Sequence, residues 1–176
     1  MVRVISLKLA EYPSPVGAIR LVSDADGLLR ALDFEGYDER LHLLLRRHYG
    51  AYTLDPGPAP VPVTQALDAY FAGDLTKIEG VETATGGGEF QREVWAGLRT
   101  IPAGETLSYG ALAARIGRPK ASRAVGAANG ANPIALIVPC HRVIGASGSL
   151  TGFGGGLPRK AWLLEHERRH AGLQLI

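Results

Sequence analysis

A polar, glycine-rich segment near the middle of the chain, residues 82–88, has neither the two-residue period of a strand nor the 3.6-residue period of a helix. Before this segment, apolar and polar residues alternate between turn sequences, and after it apolar residues recur at helical spacing. The segment therefore predicts a boundary between two domains, residues 1–85 and 86–176. The chain has 176 residues, of which 46% are apolar, enough to give both domains a core.

The N-terminal domain is predicted to be small and of the α+β type. Alternation from Val2 to Phe34 is interrupted by turn sequences at 14–17 and 24–27, which indicates three short antiparallel strands. A helix is predicted over 37–49, and a second helix from near Val63 to the residue before Gly73.

The C-terminal domain is predicted to be mainly helical. Apolar residues from Phe90 to Ile101 follow the pattern of an amphipathic helix. Thr106 or Ser108 can cap the next helix, which runs to Ile116, and a break over 117–119 separates it from a third helix over 121–128. Two short helices joined by a glycine-containing turn are typical of a helix-turn-helix.

Charge is unevenly distributed between the two halves. Residues 1–85 carry 8 Lys and Arg against 12 Asp and Glu, and residues 86–176 carry 11 against 5, so the net charges are −4 and +6. The last helix of the helix-turn-helix carries small side chains and one long cation, Arg123. Such a helix can approach a DNA groove closely or pack into the protein's own core, and the sequence leaves both interpretations open.

Cys140 is the single cysteine of the chain, which excludes an internal disulfide. It follows a continuous apolar run over 134–138, bounded by prolines, which predicts a strand buried on both faces. The overall class is therefore α/β, with a short buried strand carrying the active-site cysteine. Its neighbours His141 and Arg142 are residue types that stabilise a thiolate, which favours a nucleophile over a structural cysteine.

Two further segments follow the cysteine. The glycine-rich loop at 152–156 lacks the Lys-Ser/Thr ending of a phosphate-binding loop, so it is either a plain turn or a loop that approaches a flat ligand. The last helix begins at Pro158 and places Lys160 and Glu167 on one face. Glu167 either orients a histidine or is solvated.

Residues 139–145 resemble the acceptor-cysteine signature of the O6-alkylguanine-DNA alkyltransferases, also called methylated-DNA–protein-cysteine methyltransferases. The resemblance covers nearly all of residues 86–176 and, more loosely, the N-terminal half. The matching motifs are Phe90–Trp95, Ser108–Gly110, Arg123–Gly126, Asn132–Pro133, the loop at 152–156 and Lys160–Glu167, with Ser14–Gly17 and Tyr70–Gly73 in the N-terminal half.

The resemblance implies DNA repair by direct reversal of damage in a single-turnover, suicidal methyltransferase reaction. An O6-alkylguanine, with O4-alkylthymine as a second candidate lesion, is flipped out of the duplex and its alkyl group passes irreversibly to Cys140. In this resemblance His141 is the base that reaches the thiol through a water, and Glu167 orients His141. Tyr109 donates a proton to the leaving guanine, and Asn132 is a hinge between the DNA-binding helix and the cysteine segment.

The resemblance also implies an interface with the minor groove of double-stranded DNA. Arg123 fills the gap left by the flipped base, and the neighbouring DNA contacts are Ser122, Ala124 and Ala127. The implied base pocket consists of Val143, Phe153, Gly154, Gly155 and Lys160. Phe153 stands where many members have tyrosine, Gly154 where some have serine, and Ala135 where some have proline.

No cofactor and no metal site are expected, and a cytoplasmic monomer without a membrane segment is the expected form. Two other interpretations compete with the repair enzyme. One is a cysteine hydrolase that uses Cys140, His141 and Asn132, and the other is a helix-turn-helix regulator in which the cysteine is inert or redox-active.

Overall fold

The computed structural model describes residues 3–172, and its N-terminal part is built on a four-stranded sheet. The strands β1 (Ile5–Tyr12), β2 (Ile19–Ser23) and β3 (Leu29–Phe34) pair antiparallel in sequence order, which confirms the three predicted strands. Val2, where the alternation starts, lies outside the described residues. A fourth strand, β4 (Tyr52–Pro56), pairs parallel with β1 and was not predicted.

Two helices accompany the sheet, α1 over Asp38–Tyr49 and α2 over Val61–Phe71, close to the predicted ranges. Helix α1 buries Leu41 and Leu45 against one face of the sheet in a small apolar cluster. The other face belongs to a larger core that also contains residues of the C-terminal part. The sheet therefore shares its main core with the helices that follow.

The described residues of the C-terminal part form four α-helices, α3 over Glu89–Leu98, α4 over Tyr109–Arg115, α5 over Ser122–Gly130 and α6 over Leu157–Ala171. The Ser108 hydroxyl accepts the backbone N–H of Ala111 at 3.0 Å and so caps α4. Helices α4 and α5 pack on each other as the predicted helix-turn-helix. Among the helices of residues 3–172, none combines the length and apolar character that crossing a bilayer requires.

The predicted strand over 134–138 is wrong, although every residue of this segment is buried. The Ile137 N–H donates to the Ala135 carbonyl at 2.9 Å, and Leu136 between them has φ of 72°. This is a γ-turn with its central residue in the left-handed region, so the chain reverses direction where a strand would continue. A continuous apolar run indicates that a segment is buried but does not indicate its backbone conformation, which explains why a strand was predicted here.

The same segment is attached to the edge of the N-terminal sheet. The Leu32 N–H of β3 donates to the Pro133 carbonyl at 2.9 Å, and the Ala135 N–H donates to the Leu32 carbonyl at 3.2 Å. Further along β3, Leu29 pairs with residues 82–84, part of the predicted boundary segment. Both segments therefore cover the outer edge of β3.

Trp95 of α3 connects the first helix of the C-terminal part to α5. Its side chain is buried, and the indole Nε1–H donates to the Ala128 carbonyl at 2.9 Å. This bond fixes α5 at the end that leads to the cysteine segment.

We expect Trp95→Phe to lower the free energy of unfolding by about 1–3 kcal/mol, because a buried hydrogen bond and part of the packed ring are lost. Urea unfolding at pH 7 measures the change. Trp162→Phe is the control, since Trp162 is only half-buried, and it should cost less. An equal cost for both variants would contradict the role given to the Trp95 hydrogen bond.

Candidate active site

Cys140 is 6% exposed and lies at the start of a short 3₁₀ helix, Cys140–Arg142. Pro139 before it has φ of −81° and ψ of 66°, and the Cys140 N–H donates to the Val138 carbonyl at 2.8 Å. These values describe an inverse γ-turn, which proline favours because its ring fixes φ. The cysteine is therefore placed by a turn and a 3₁₀ helix, with its backbone hydrogen-bonded.

Burial raises the pKa of the Cys140 thiol, and three groups oppose this increase. They are a side-chain hydrogen bond with Asn132 and the positive charges of Lys160 and Arg40. From the sequence, Arg142 was predicted to stabilise the thiolate, and the structure corrects this prediction because the Arg142 guanidinium binds Glu167. Arg40 comes from α1 of the N-terminal part and was not predicted.

Glu167 of α6 is fully buried and receives hydrogen bonds from three side chains. His141 Nε2 lies 2.7 Å from Glu167 Oε2, and the Tyr70 hydroxyl donates to the same oxygen at 2.7 Å. Arg142 donates from Nε to Oε1 at 2.8 Å and from Nη2 to Oε2 at 2.9 Å. The interactions with His141 and with the charged, hydrogen-bonded Arg142 hold the pKa of Glu167 well below its usual range against the effect of burial.

The state of His141 follows from this arrangement. Burial lowers the pKa of the imidazole, although Glu167 opposes the change, so the ring is neutral at pH 7. An ionised carboxylate only accepts hydrogen bonds, so Nε2 carries the proton and Nδ1 has the free lone pair. Nδ1 is buried and makes no hydrogen bond within residues 3–172. His141 can therefore accept a proton at Nδ1 while Glu167 stabilises the resulting imidazolium.

Asn132 uses both ends of its amide on the backbone of the cysteine segment. Its Nδ2 donates to the Val138 carbonyl at 2.8 Å, and its Oδ1 accepts the Ile134 N–H at 3.0 Å. Asn132 therefore ties the residues after α5 to the turn before Cys140. No hydrogen bond joins Asn132 to His141, whose partner is Glu167, so the Cys-His-Asn arrangement of a cysteine hydrolase is not formed.

A cavity of about 260 Å³ opens beside Cys140. Besides Cys140 itself, the predicted site residues that line it are Tyr109, Phe153 and Gly154. Asn129 also lines it and was not predicted. The full lining is Tyr109, Gly126, Asn129, Gly130, Cys140, Gly152, Phe153 and Gly154.

The other three predicted pocket residues, Val143, Gly155 and Lys160, do not line this cavity. Val143 is buried in a two-residue strand, β6 (Val143–Ile144), which pairs with β5 (Leu107–Ser108). Gly155 packs tightly on the core: a Cβ there would lie 2.6 Å from the Phe34 ring.

Lys160 is fully buried below the loop that forms one side of the cavity. Its ammonium donates to the Val143 and Thr151 carbonyls, each at 2.6 Å, and so joins the two ends of the segment 144–150 that precedes this loop. Across the cavity, the Tyr109 hydroxyl lies 3.1 Å from Thr151 Oγ1. Thr151 therefore links Lys160 below the loop to Tyr109 in the cavity wall.

Gly154 is placed by the N-terminal part of the protein. A Cβ at this position would overlap the guanidinium of Arg40, which pairs with the buried carboxylate of Asp33. The glycine is therefore required by close packing of the loop on Arg40.

The four predicted DNA contacts lie on the exposed face of α5, which comprises Ser122, Arg123, Ala124 and Ala127. The Arg123 side chain makes no hydrogen bond or ion pair within the described part of the chain. Val125, Ala128 and Asn129 form the buried face. The small residues of α5 are therefore consistent with both interpretations that the sequence left open. Ala128 packs inward, whereas Ala124 and Ala127 leave the outer face nearly flat.

Residues 3–172 contain no group of three or more His, Cys, Asp or Glu side chains positioned to hold a metal ion.

We expect Glu167→Gln to lower the free energy of unfolding at pH 7 by about 3 kcal/mol, because Arg142 would remain buried without its counter-charge. The ionised carboxylate contributes its full stabilisation above its ordinary pKa of 4.5, and the contribution is lost as the pH falls toward its lower pKa in the folded protein. The difference in the free energy of unfolding between the variant and the parent protein should therefore become smaller below pH 4.5.

Urea unfolding at pH 7 and at acidic pH measures both effects. Glu165→Gln is the matched control on the same helix, because Glu165 is exposed and pairs only with Arg168 among the described residues. It should change stability little at either pH. A Glu167→Gln protein as stable as this control would contradict the buried charge cluster.

Comparison with known proteins identifies the family. The model described as "6-O-methylguanine DNA methyltransferase, ribonuclease-like domain" matches residues 7–85, and the corresponding "DNA binding domain" model matches residues 89–169. Methylated-DNA–protein-cysteine methyltransferase of Salmonella typhimurium is 51% identical to this chain, covering 95% of it and 97% of the relative. The protein of the same name from Mycobacterium tuberculosis is 51% identical, covering 92% and 93%.

A solved structure agrees with these matches. The crystal structure of Mycobacterium tuberculosis OGT in complex with DNA superimposes with a TM-score of 0.77 at 46% identity, covering 94% of each chain. The family models, the relatives and the fold point to one assignment, and the chain belongs to the 6-O-methylguanine DNA methyltransferase family.

Proposed function

We propose that this protein repairs alkylated DNA by transferring the alkyl group from O6 of guanine to Cys140. The observation that carries the proposal is the position of the only thiol, at the wall of a cavity and beside a neutral histidine that Glu167 holds. The DNA-bound relative and the names of the curated relatives support the same substrate.

The chemistry begins with loss of the thiol proton. His141 Nδ1 accepts this proton through a water, and the thiolate attacks the alkyl carbon. The S–C bond forms as the C–O bond breaks, and the electron pair of the C–O bond stays on the guanine. The Tyr109 hydroxyl supplies a proton to a ring nitrogen of the leaving base. Tyr109 is then reprotonated through solvent with the proton that His141 took from the thiol, so that the net change moves one proton from the thiol to the guanine.

Access to the lesion requires that the base leave the duplex. Helix α5 presents a nearly flat outer face, with Ala124 and Ala127 exposed, and the minor groove it would enter is only about 6 Å wide. Arg123 projects from the same face and occupies the space vacated by the base. Extrusion costs a few kcal/mol, so a side chain that replaces the lost stacking favours the extruded state.

No regeneration step exists for the product. The thioether at Cys140 has no leaving-group path, and the sequence contains no second cysteine to accept the alkyl group. The reaction therefore consumes one protein molecule for each lesion. We propose the cytoplasm as its location, because the substrate is DNA and the relatives are bacterial.

We expect the parent protein to gain the mass of one methyl group on Cys140 when it is mixed with excess methylated duplex, and repair to stop at one lesion per molecule. Intact mass and peptide mapping give the site and the stoichiometry. Cys140→Ser should transfer nothing and keep its affinity for DNA, because α5 does not include the thiol. Repair beyond one lesion per molecule would refute this mechanism.

We expect Arg123→Ala to weaken binding to a duplex that contains O6-methylguanine about tenfold, and to weaken binding to undamaged duplex much less. Gel-shift titration on both duplexes gives the two ratios. Arg118→Ala is the control, since Arg118 is an exposed arginine near α5 that pairs with Glu93. Arg118→Ala should weaken binding to both duplexes equally. An equal loss of affinity for both duplexes in Arg123→Ala would indicate that Arg123 only contacts a phosphate.

A further inference from the structure

Tyr70 of α2 is a fully buried residue of the N-terminal part that reaches the groups around Cys140. Its hydroxyl donates to Glu167 Oε2 at 2.7 Å. Burial and the negative charge of Glu167 raise the pKa of this hydroxyl well above its usual value, so it stays protonated and acts as a donor throughout the neutral range. No step of the alkyl transfer uses this hydroxyl.

The two oxygens of Glu167 are hydrogen-bonded unequally. Oε2 accepts from Tyr70, from His141 Nε2 and from Arg142 Nη2, whereas Oε1 accepts only from Arg142 Nε among residues 3–172. A carboxylate oxygen has two lone pairs, so the three donors on Oε2 share the same electron density. If Tyr70 only satisfied a buried charge, Oε1 would be the less crowded acceptor. The hydroxyl instead lies on the oxygen that binds His141.

Glu167 influences how Cys140 and His141 share one proton. Moving the thiol proton to His141 Nδ1 converts an uncharged pair into a thiolate and an imidazolium, and Glu167 stabilises the imidazolium. A further donor on Oε2 draws electron density from that oxygen and weakens its hydrogen bond to the His141 ring. The Tyr70 hydroxyl therefore favours the uncharged pair.

Other charged groups lie near the pair, and the Tyr70 hydroxyl is hydrogen-bonded to none of them within residues 3–172. Lys160 of α6 and Arg40 of α1 favour a thiolate, whereas Arg142 and Lys160 oppose a positive charge on His141. Helix α3 also packs on the 3₁₀ helix, and its buried face carries no charged side chain. Removing the hydroxyl therefore changes one hydrogen bond near the pair and leaves these charges in place.

A nucleophile that is used once is lost when it reacts with the wrong electrophile. The thiolate, and not the thiol, is the form that reacts with stray alkylating agents and oxidants. Cys140 is the single cysteine, and its thioether is not regenerated, so such a reaction would remove the molecule from repair. Burial raises the pKa of Cys140 and lowers the pKa of His141, and both shifts favour the uncharged pair.

We propose that Tyr70 is a positioning residue that restrains the nucleophile: its hydrogen bond to Oε2 limits how strongly Glu167 stabilises an imidazolium, so that Cys140 keeps its proton in the absence of substrate. The inference rests on the proposed function and adds a residue of the N-terminal part to it. Tyr70 acts on the thiol through Glu167 and His141.

The test measures the reaction of Cys140 with iodoacetamide in the full protein at pH 7, without DNA. Intact mass follows the gain of one carbamidomethyl group, and peptide mapping confirms Cys140 as its site. We expect Tyr70→Phe to react about three- to tenfold faster than the parent protein, because a hydrogen bond to a charged group is lost and more of the pair is in the charged form.

A second background separates this effect from a loss of packing. In His141→Gln no imidazolium forms, so adding Tyr70→Phe should change the iodoacetamide rate by less than about twofold. Tyr49→Phe is the matched control in the N-terminal part. It loses a hydroxyl that donates to the Arg30 and Ala84 carbonyls at 2.7 and 3.0 Å, and its rate should equal that of the parent.

A third variant retains the tyrosine ring and its hydroxyl. A tyrosine fluorinated beside the hydroxyl, placed at position 70 alone, is a stronger donor, and it should make the iodoacetamide reaction slower than in the parent. This variant keeps the inference testable if Tyr70→Phe does not fold. A faster reaction of the fluorinated protein would contradict the inference.

The outcomes distinguish this inference from the function on which it rests. Equal iodoacetamide rates for Tyr70→Phe and the parent would overturn the inference. The same acceleration in the His141→Gln background would indicate looser packing around the thiol and would also overturn it. Methyl transfer from a duplex with O6-methylguanine is measured on the same proteins, and its absence in the parent would refute the proposed function, while the iodoacetamide rates would still decide the role of Tyr70.

Discussion

The structure around the cysteine depends on one buried carboxylate. Glu167 lies in the core on α6, where an ionised group persists only if other charges and donors satisfy it. The protein supplies Tyr70 from α2, and His141 and Arg142 from the 3₁₀ helix at Cys140. Arg142 also donates to the Ile101 carbonyl at 2.7 Å. One carboxylate therefore joins the N-terminal part, the cysteine segment and the last helix, and fixes the tautomer of the histidine.

Much of the fold and of the site could be predicted from the sequence, because the patterns that indicate them are local. Helical spacing indicated α3 and α6, a cap and a chain break indicated α4 and α5, and a lone cysteine after proline and before histidine indicated the nucleophile. The contact between Tyr70 and Glu167 could not be predicted, because 97 positions separate the two residues and no periodic pattern joins them. The fold of residues 134–138 was missed for a different reason, since burial on all sides gives the same apolar run to a turn as to a strand.

Lys160 shows how a residue can be important to a site without lining it. The family resemblance implied a place for Lys160 in the base pocket, yet its ammonium donates to two backbone carbonyls, those of Val143 and Thr151. Burial lowers the pKa of this ammonium, and the nearby Cys140 opposes that change. Lys160 therefore interacts with both the loop and the thiol. This double interaction depends on the packing of chain segments that are distant in the sequence.

The attachment of the cysteine segment to β3 has a consequence for the sheet itself. An uncovered edge strand offers its N–H and C=O groups to any other extended chain and so promotes aggregation. Here residues 82–84 and 133–135 occupy the edge of β3, and both segments lie outside the strands of the sheet. A fragment cut after the sheet would expose this edge to strand addition by its own copies. The segment that presents the nucleophile therefore also keeps the N-terminal sheet from associating with itself.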